Sequence, residues 1–292
     1  MATISKDVSG KIEKPIVDAL AMISEISSNL ELPFFLIGAK ARDIFFSALF
    51  DIPTHRATLD VDIGIKAKSW EDAKRLVDDL TATGEFVRVK GLQFRLKHTN
   101  GVVVDVIPFG ELESPQGKIQ WPDDDAVMTT TGFDEAFEYS MHVRIRTDLP
   151  LDVRICSPPA MVVLKLIAWE EKYPERADDA VDIKYILENY LEADNDKRLY
   201  GEDSDLHDEK DFDYGRASAR ILGRDVAKIV TPVTMATILE ILDRETNEKS
   251  DFRLIIDMMR GNSREGSFEE TLSLLNQLKQ GIIDRPRTSS NG

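Results

Sequence analysis

The chain has 292 residues, 42% of them hydrophobic, enough for a sizeable core and more natural for two domains than for one. Its 37 Lys and Arg against 53 Asp and Glu leave a formal net charge of −16, which excludes binding to nucleic acid or anionic membranes through overall charge and requires a local basic patch for any such contact. The single cysteine, Cys156, excludes an intrachain disulfide and a Cys-rich zinc site; with no signal-like N-terminus and no long uninterrupted apolar run, a cytoplasmic protein without a membrane segment is expected.

Residues 10–30 set Ile12, Ile16, Leu20, Ile23 and Ile26 at three- and four-residue intervals, which predicts an amphipathic helix. A strand follows over 34–37, Gly38 turns the chain into a helix through about Ser47, and a second strand covers 59–66. Ser69 with Asp72 starts a helix over 70–82. Segments 85–90, 92–98 and 102–107 read as strands, separated by Gly91 and by the hairpin signal Asn100-Gly101. Strands over 139–146 and 151–155 come next. Ser157-Pro158-Pro159 then supplies an N-cap with proline at the first helical position, and everything beyond reads as helical.

Residues 192–213 hold ten acidic and three basic residues with few large apolar side chains, predicting a mobile acidic insertion. Helices resume near 215–228, 232–246, 251–260 and 267–281. The expected division is an α/β domain over 1–155, a helical domain over 156–282 carrying the insertion, and a disordered tail over 283–292.

The chemistry gathers on two strands. Alternation from Thr58 to Ile65 puts Val61, Ile63 and Ile65 on one face and Asp60, Asp62 and Gly64 on the other. Two carboxylates thus project together, about 7 Å apart along the strand. Alone, the pair reads equally well as a solvated strand face. Yet aspartate is disfavoured in strands, and hard oxygen donors at this spacing suit Mg²⁺, which retains water and recruits phosphate oxygens. From Val102 to Ile107 a buried-strand pattern carries Asp105 in its middle, where an unpaired charge is costly and a metal shared with Asp60 and Asp62 would compensate it. Phe35-Leu36-Ile37-Gly38-Ala39 runs from strand to helix, leaving backbone N–H groups to hold phosphates. Arg88, Lys90, Arg95, Lys97 and His98 crowd the hairpin around Gly91, and Arg88, Lys90, Arg95 and Lys97 form the candidate RNA-binding patch; the alternative is a charged solvent face.

The ordered set Gly38-Ala39-Lys40-Ala41-Arg42-Asp43, Arg56-Ala57-Thr58-Leu59-Asp60-Val61-Asp62 and Val104-Asp105-Val106-Ile107-Pro108-Phe109-Gly110 resembles the polymerase-β-like nucleotidyltransferases, in particular the branch grouped with AbiEii/AbiGii toxins. Trp121-Pro122, Gly132-Phe133-Asp134-Glu135-Ala136, Ser157-Pro158 leading to Leu164-Lys165-Leu166-Ile167-Ala168-Trp169, and Asp179-Ala180-Val181-Asp182 extend the resemblance over about 34–191. It implies an α+β fold in which a small mixed sheet with helices is followed by a helical domain. It further implies two Mg²⁺ ions and transfer of a nucleoside monophosphate from NTP to an acceptor hydroxyl with release of pyrophosphate. Asp60 and Asp62 would bridge the metals, and Asp105 would complete the one acting on the attacking hydroxyl. Gly38, Ala39, Lys40, Arg42 and Thr58 would contact the nucleotide. Lys165 would reach the triphosphate as a flexible ammonium, oriented by Asp179 and Asp182. The toxin relatives imply RNA, a tRNA end, as acceptor and a cognate antitoxin as partner. The chain departs from the family pattern at Gly38-Ala39-Lys40, where relatives carry a small hydroxyl residue.

Two other acceptors stay open at this point, a small hydroxylated molecule and a protein side chain. So does a different class of function, a non-catalytic module whose acidic insertion holds a basic partner, although the intact Asp60, Asp62 and Asp105 argue against it.

Overall fold

Before Ser157 strand and helix periods alternate along the chain, after it only the helical period recurs, and the two stretches pack differently. The computed structural model describes residues 6–54, 58–122, 125–260 and 267–284. Its contacts fall into two compact units, residues 1–157 and 158–292.

In the first unit the elements run β1 (Lys6–Asp7), α1 (Lys14–Asn29), β2 (Phe34–Ile37), α2 (Gly38–Asp43), a π-helical turn (Ile44–Leu49), β3 (Asp60–Ala67), α3 (Trp70–Ala82), β4 (Phe86–Val89), β5 (Leu92–His98), β6 (Val103–Gly110), β7 (Lys118–Gln120), β8 (Val127–Thr129), α4 (Phe133–Glu138), β9 (Met141–Arg146) and β10 (Leu151–Ile155). Eight strands form one mixed sheet in the order β1-β9-β10-β2-β3-β6-β5-β4, and β7 pairs with β8 as a separate hairpin. Strand β3 runs antiparallel to β2 and parallel to β6, while β5 returns antiparallel to β6. The return is the turn at Asn100-Gly101, where Val102 N donates to Asn100 Oδ1 at 3.1 Å.

Alternation gives the sheet two unlike faces. Val61, Ile63, Ile65, Phe94, Leu96, Val104 and Val106 are buried on one face. There α3 packs against β3, β4 and β5, with α1 beside it. Helix α3 begins where the sequence predicts it, with the Ser69 side chain accepting from Asp72 N at 3.2 Å. The other face is divided along the strands. Toward the C-terminal ends of β3 and β6, Phe35, Phe109, Phe133 and Phe137 pack edge-to-face or tilted with centroids 5.6–5.7 Å apart. Gly64 leaves room for them, since a Cβ there would lie 2.4 Å from the Phe35 ring. Toward the N-terminal ends the same face is polar and carries the aspartates. The short β1, the β7–β8 hairpin and α4 were not among the elements expected from the sequence; at two to six residues each they are too brief to show a period.

The second unit comprises α5 (Pro158–Glu171), α6 (Ala177–Asn189), a 3₁₀ turn (Asp196–Tyr200), α7 (Ser204–His207), α8 (Tyr214–Ile229), α9 (Pro232–Glu245), α10 (Arg253–Met258) and α11 (Phe268–Ile283). Helices α8 and α11 approach closely at glycines: a Cβ on Gly223 would lie 2.2 Å from Leu278 O, and one on Gly281 would lie 2.1 Å from Arg220 O. Among the described residues no helix is long and apolar enough to cross a membrane.

The acidic stretch is built into this unit rather than left as the mobile insertion predicted from its charge. Leu199 and Leu206 are buried. Arg198 binds Asp203 at 2.8 Å and also pairs with Asp225, while Arg224 binds Asp203 and Asp205, each at 2.6 Å. Asp284 joins the network through Arg220 at 2.9 Å and Arg224 at 2.8 Å. Ile283 closes α11 and Asp284 is anchored, so the tail expected from 283 does not begin there; 285–292 lie outside the described residues.

Burial works against the ionised forms of Asp225 and Asp284, yet hydrogen bonds and charge from Arg198 and Lys228 at Asp225, and from Arg220 and Arg224 at Asp284, hold both below the usual carboxylate range. A folded-state pKa below the unfolded one stabilises the protein above the unfolded value, about 4, and that stabilisation is lost as pH falls through the folded value. Urea unfolding should therefore show a steep loss of stability below about pH 4. Asp225→Asn should start less stable at neutral pH and lose less on acidification, whereas parallel acid profiles of the two proteins would contradict this account.

Candidate active site

Register aligns one residue from each of four strands into a row, three of them polar. Ile37 of β2 lies opposite Asp62 of β3, Asp62 opposite Asp105 of β6, and Asp105 opposite Arg95 of β5. Directly paired residues share a face, so Asp62, Asp105 and Arg95 project together, with Asp60 two residues before Asp62 on the same side. Asp60 is exposed; Asp62, Asp105 and Arg95 are half-buried. Thr58 Oγ1 accepts from Asp60 N at 3.0 Å and fixes the entry to β3. His55, Arg56 and Ala57 lie outside the described residues.

Gly38 closes the row at the end of β2. Its φ is +67°, a conformation that glycine adopts without the steric cost of a side chain. A Cβ on Gly38 would lie 2.2 Å from Asp62 Oδ2. The missing side chain is thus the space that the Asp62 carboxylate fills.

Arg95 is the cation of this row. Its guanidinium approaches Asp105 Oδ2 at 3.4 Å and Asp60 Oδ2 at 3.6 Å. A positive group therefore already stands against two of the three carboxylates, and the donor set consists of hard oxygens, the type that holds Mg²⁺ or Mn²⁺. In donor chemistry the residues suit a divalent cation. Among the described residues, no group of three or more His, Cys, Asp or Glu side chains is placed so that it could hold a metal ion; Asp60, Asp62 and Asp105 share a face without forming such a group.

The remaining residues singled out from the sequence are placed less uniformly. Ala39 is half-buried at the start of α2. Lys40 is 3% exposed and pairs with Glu13 at 3.4 Å, and Arg42 is fully buried with Asp43 at 2.7 Å. Both cations expected at the nucleotide are therefore inside the fold. The hairpin cations do not make one surface. Arg88 lies opposite Leu96, on the α3 side of the sheet, and pairs with Asp78; Arg95 and Lys97 project from the aspartate side, and Lys90 is exposed at the turn. His98 is buried against Phe86, with ring centroids 4.7 Å apart.

In the helical unit, Lys165 is enclosed between α5 and α6. Its Nζ donates to Asp179 Oδ1 at 2.8 Å and to Asp182 Oδ2 at 2.7 Å, and all three residues are buried. Burial alone would lower the ammonium pKa, but the Asp179 and Asp182 charges and hydrogen bonds outweigh it and hold Lys165 above the usual lysine value. Arg176 Nε adds a 2.6 Å bond to Asp179. Asp178, beside them in sequence, is exposed. Trp169, quoted in the sequence motif but given no role there, is fully buried and its Nε1 donates to Asp257 at 2.9 Å; its signal was a polar-tipped aromatic within an apolar helix.

A search of curated proteins finds no match. Among solved structures, the chain is similar to a solution structure of the antibiotic-resistance factor ANT(2'')-Ia, at 14% identity and TM-score 0.36, over 68% of this chain and 100% of that one. A crystal structure of ANT(2")-Ia in complex with adenylyl-2"-tobramycin matches at 16% identity and TM-score 0.31, over 55% of this chain and 80% of that one. A tRNA-processing enzyme matches at 13% identity and TM-score 0.27, over 93% and 91%. Overlaps this loose say nothing about the acceptor. The family profile described as "Nucleotidyl transferase AbiEii toxin, Type IV TA system" matches residues 28–274. That span takes in the aspartate row, Gly38 and the Lys165 cluster, and the mixed sheet with its helices agrees with a polymerase-β-like nucleotidyltransferase: the chain belongs to the AbiEii nucleotidyltransferase toxin family.

Proposed function

We propose that this protein transfers a nucleoside monophosphate from an NTP to a hydroxyl of RNA, with divalent metal held by Asp60, Asp62 and Asp105. The observation that carries the reading is the row of carboxylates on one sheet face, with Gly38 making space for Asp62 and a cation lying against Asp60 and Asp105. Bound there, Mg²⁺ would neutralise triphosphate charge and make the acceptor hydroxyl easier to deprotonate. The chain's own part is positioning. Gly38 and Ala39 keep the backbone free of bulk where phosphates approach, and Arg95 and Lys97 give the aspartate face the positive charge that a polyanionic acceptor needs on a protein of net charge −16. A toxin of this family also implies an antitoxin that restrains it.

The test is incubation with each α-labelled NTP and Mg²⁺ in the presence of total cellular RNA, protein extract or a panel of hydroxylated small molecules. Label should enter the RNA fraction, become sensitive to ribonuclease, and vanish with Asp60→Asn. Label found only in small molecules or only in protein would overturn the RNA acceptor. The absence of label from every fraction with all four NTPs would overturn the enzymatic reading.

A further inference from the structure

We propose that Arg95 couples metal binding to nucleotide binding: it serves as counter-cation to Asp60 and Asp105 in the free protein and gives them up only when a triphosphate offers it another anionic partner. The inference rests on the metal reading above and deepens it.

The geometry is particular to this residue. Arg95 stands opposite Asp105 on the neighbouring strand, and its two terminal nitrogens reach different carboxylates at 3.4 and 3.6 Å. Those distances are longer than the bonds of the structural pairs, such as 2.8 Å between Arg144 and Asp152 or 2.7 Å between Lys165 and Asp182. With its side chain 38% exposed, Arg95 is attracted to both carboxylates and locked to neither. Such a contact is worth little to the fold and is readily exchanged.

A divalent cation and a guanidinium cannot share the same carboxylate oxygens without strong mutual repulsion. Free metal must therefore displace Arg95 into solvent, which weakens its binding. A nucleotide changes the balance, because a guanidinium pairs with phosphate oxygens at least as well as with carboxylates. Metal and triphosphate then favour each other's entry, and the favour is reciprocal. The site stays charge-compensated while empty and takes metal chiefly together with its substrate.

The probe is Mn²⁺ binding followed by electron paramagnetic resonance, with and without an ATP analogue that cannot be cleaved between its α and β phosphates. In the wild type the analogue should tighten Mn²⁺ binding markedly. Arg95→Gln should bind free Mn²⁺ about fivefold more tightly and show a correspondingly smaller gain from the analogue. Arg95→Lys should fall between the two. Lys66→Gln removes the same charge from the same sheet face, at the far end of β3 where Lys66 pairs with Asp134, and should behave as wild type, which separates direct contact from a general field. Damage to the site lowers affinity, so a gain is a signature that misfolding cannot produce. Unchanged or weaker Mn²⁺ binding by Arg95→Gln, in a wild-type background whose binding is abolished by Asp105→Asn, would overturn the role of Arg95 and leave the metal site standing. A wild-type protein that binds no Mn²⁺ even with the analogue would overturn both.

Discussion

Asp62→Asn should lower nucleotidyl transfer by about three orders of magnitude, the loss that follows from several kcal/mol of charge stabilisation at the reacting phosphate. The fold should survive, because Asp62 is half-buried and removing one of three neighbouring carboxylates relieves repulsion rather than creating it. Gly38→Ala should produce a comparable loss without touching a carboxylate. Its methyl would lie 2.2 Å from Asp62 Oδ2, and φ of +67° adds strain of about 1 kcal/mol. The two variants separate in stability: the thermal midpoint should fall for Gly38→Ala and hold for Asp62→Asn. Single-turnover transfer of labelled nucleotide with circular dichroism on each protein makes the comparison. Wild-type transfer by a folded Asp62→Asn would remove Asp62 from the site.

The second large effect concerns stability. Lys165→Met should destabilise the protein by about 3–5 kcal/mol, since it strands Asp179 and Asp182 in the interior without their ammonium. A flexible lysine reaching for triphosphate, as expected from the sequence, would have been dispensable to folding; a residue 7% exposed and bonded to two buried carboxylates is not. Combining Lys165→Met with Asp179→Asn and Asp182→Asn should recover much of the loss, because the penalty lies in carboxylates buried without that ammonium. Urea titration of the single and triple variants reads this directly. Equal stability of Lys165→Met and wild type would show that the cluster contributes nothing net.

Much of the aspartate row was legible. Strict alternation around Asp60 and Asp62, and the hairpin signal at Asn100-Gly101, define strands whose side chains must fall as they do. The turn even sets Arg95 against Asp105, both five residues from Asn100, but counting the hairpin's charges as a single patch concealed that pairing. Arg88 falls on the opposite face from Arg95 only because the β4–β5 register shifts between Arg88 and Val89, an irregularity that the turn at Gly91 does not announce. What could not be read was the parallel register of β3 and β6, because a helical crossover leaves strand offset free, whereas a tight turn does not. The burial of Lys40 and Arg42 was not legible for a related reason. Arg42 has its partner in the adjacent Asp43, but Lys40 is enclosed next to Glu13, a residue from the other end of α1 and far from it in sequence. The acidic stretch failed in the same way, since its compensating cations include Arg224 on α8, outside the window over which charge was counted.

The row Ile37–Asp62–Asp105–Arg95 draws on β2, β3 and the β5–β6 hairpin, three pieces separated by long stretches of chain. No piece shorter than the run from β2 through β6 contains all of it, and its parallel pair can form only after the intervening crossover has folded back. Pairings of such long range close late, because loop entropy must be overcome before they yield any contact. During synthesis, a ribosome must therefore extrude the chain through Gly110 before the row can assemble. A chain cut short before that point lacks part of the row.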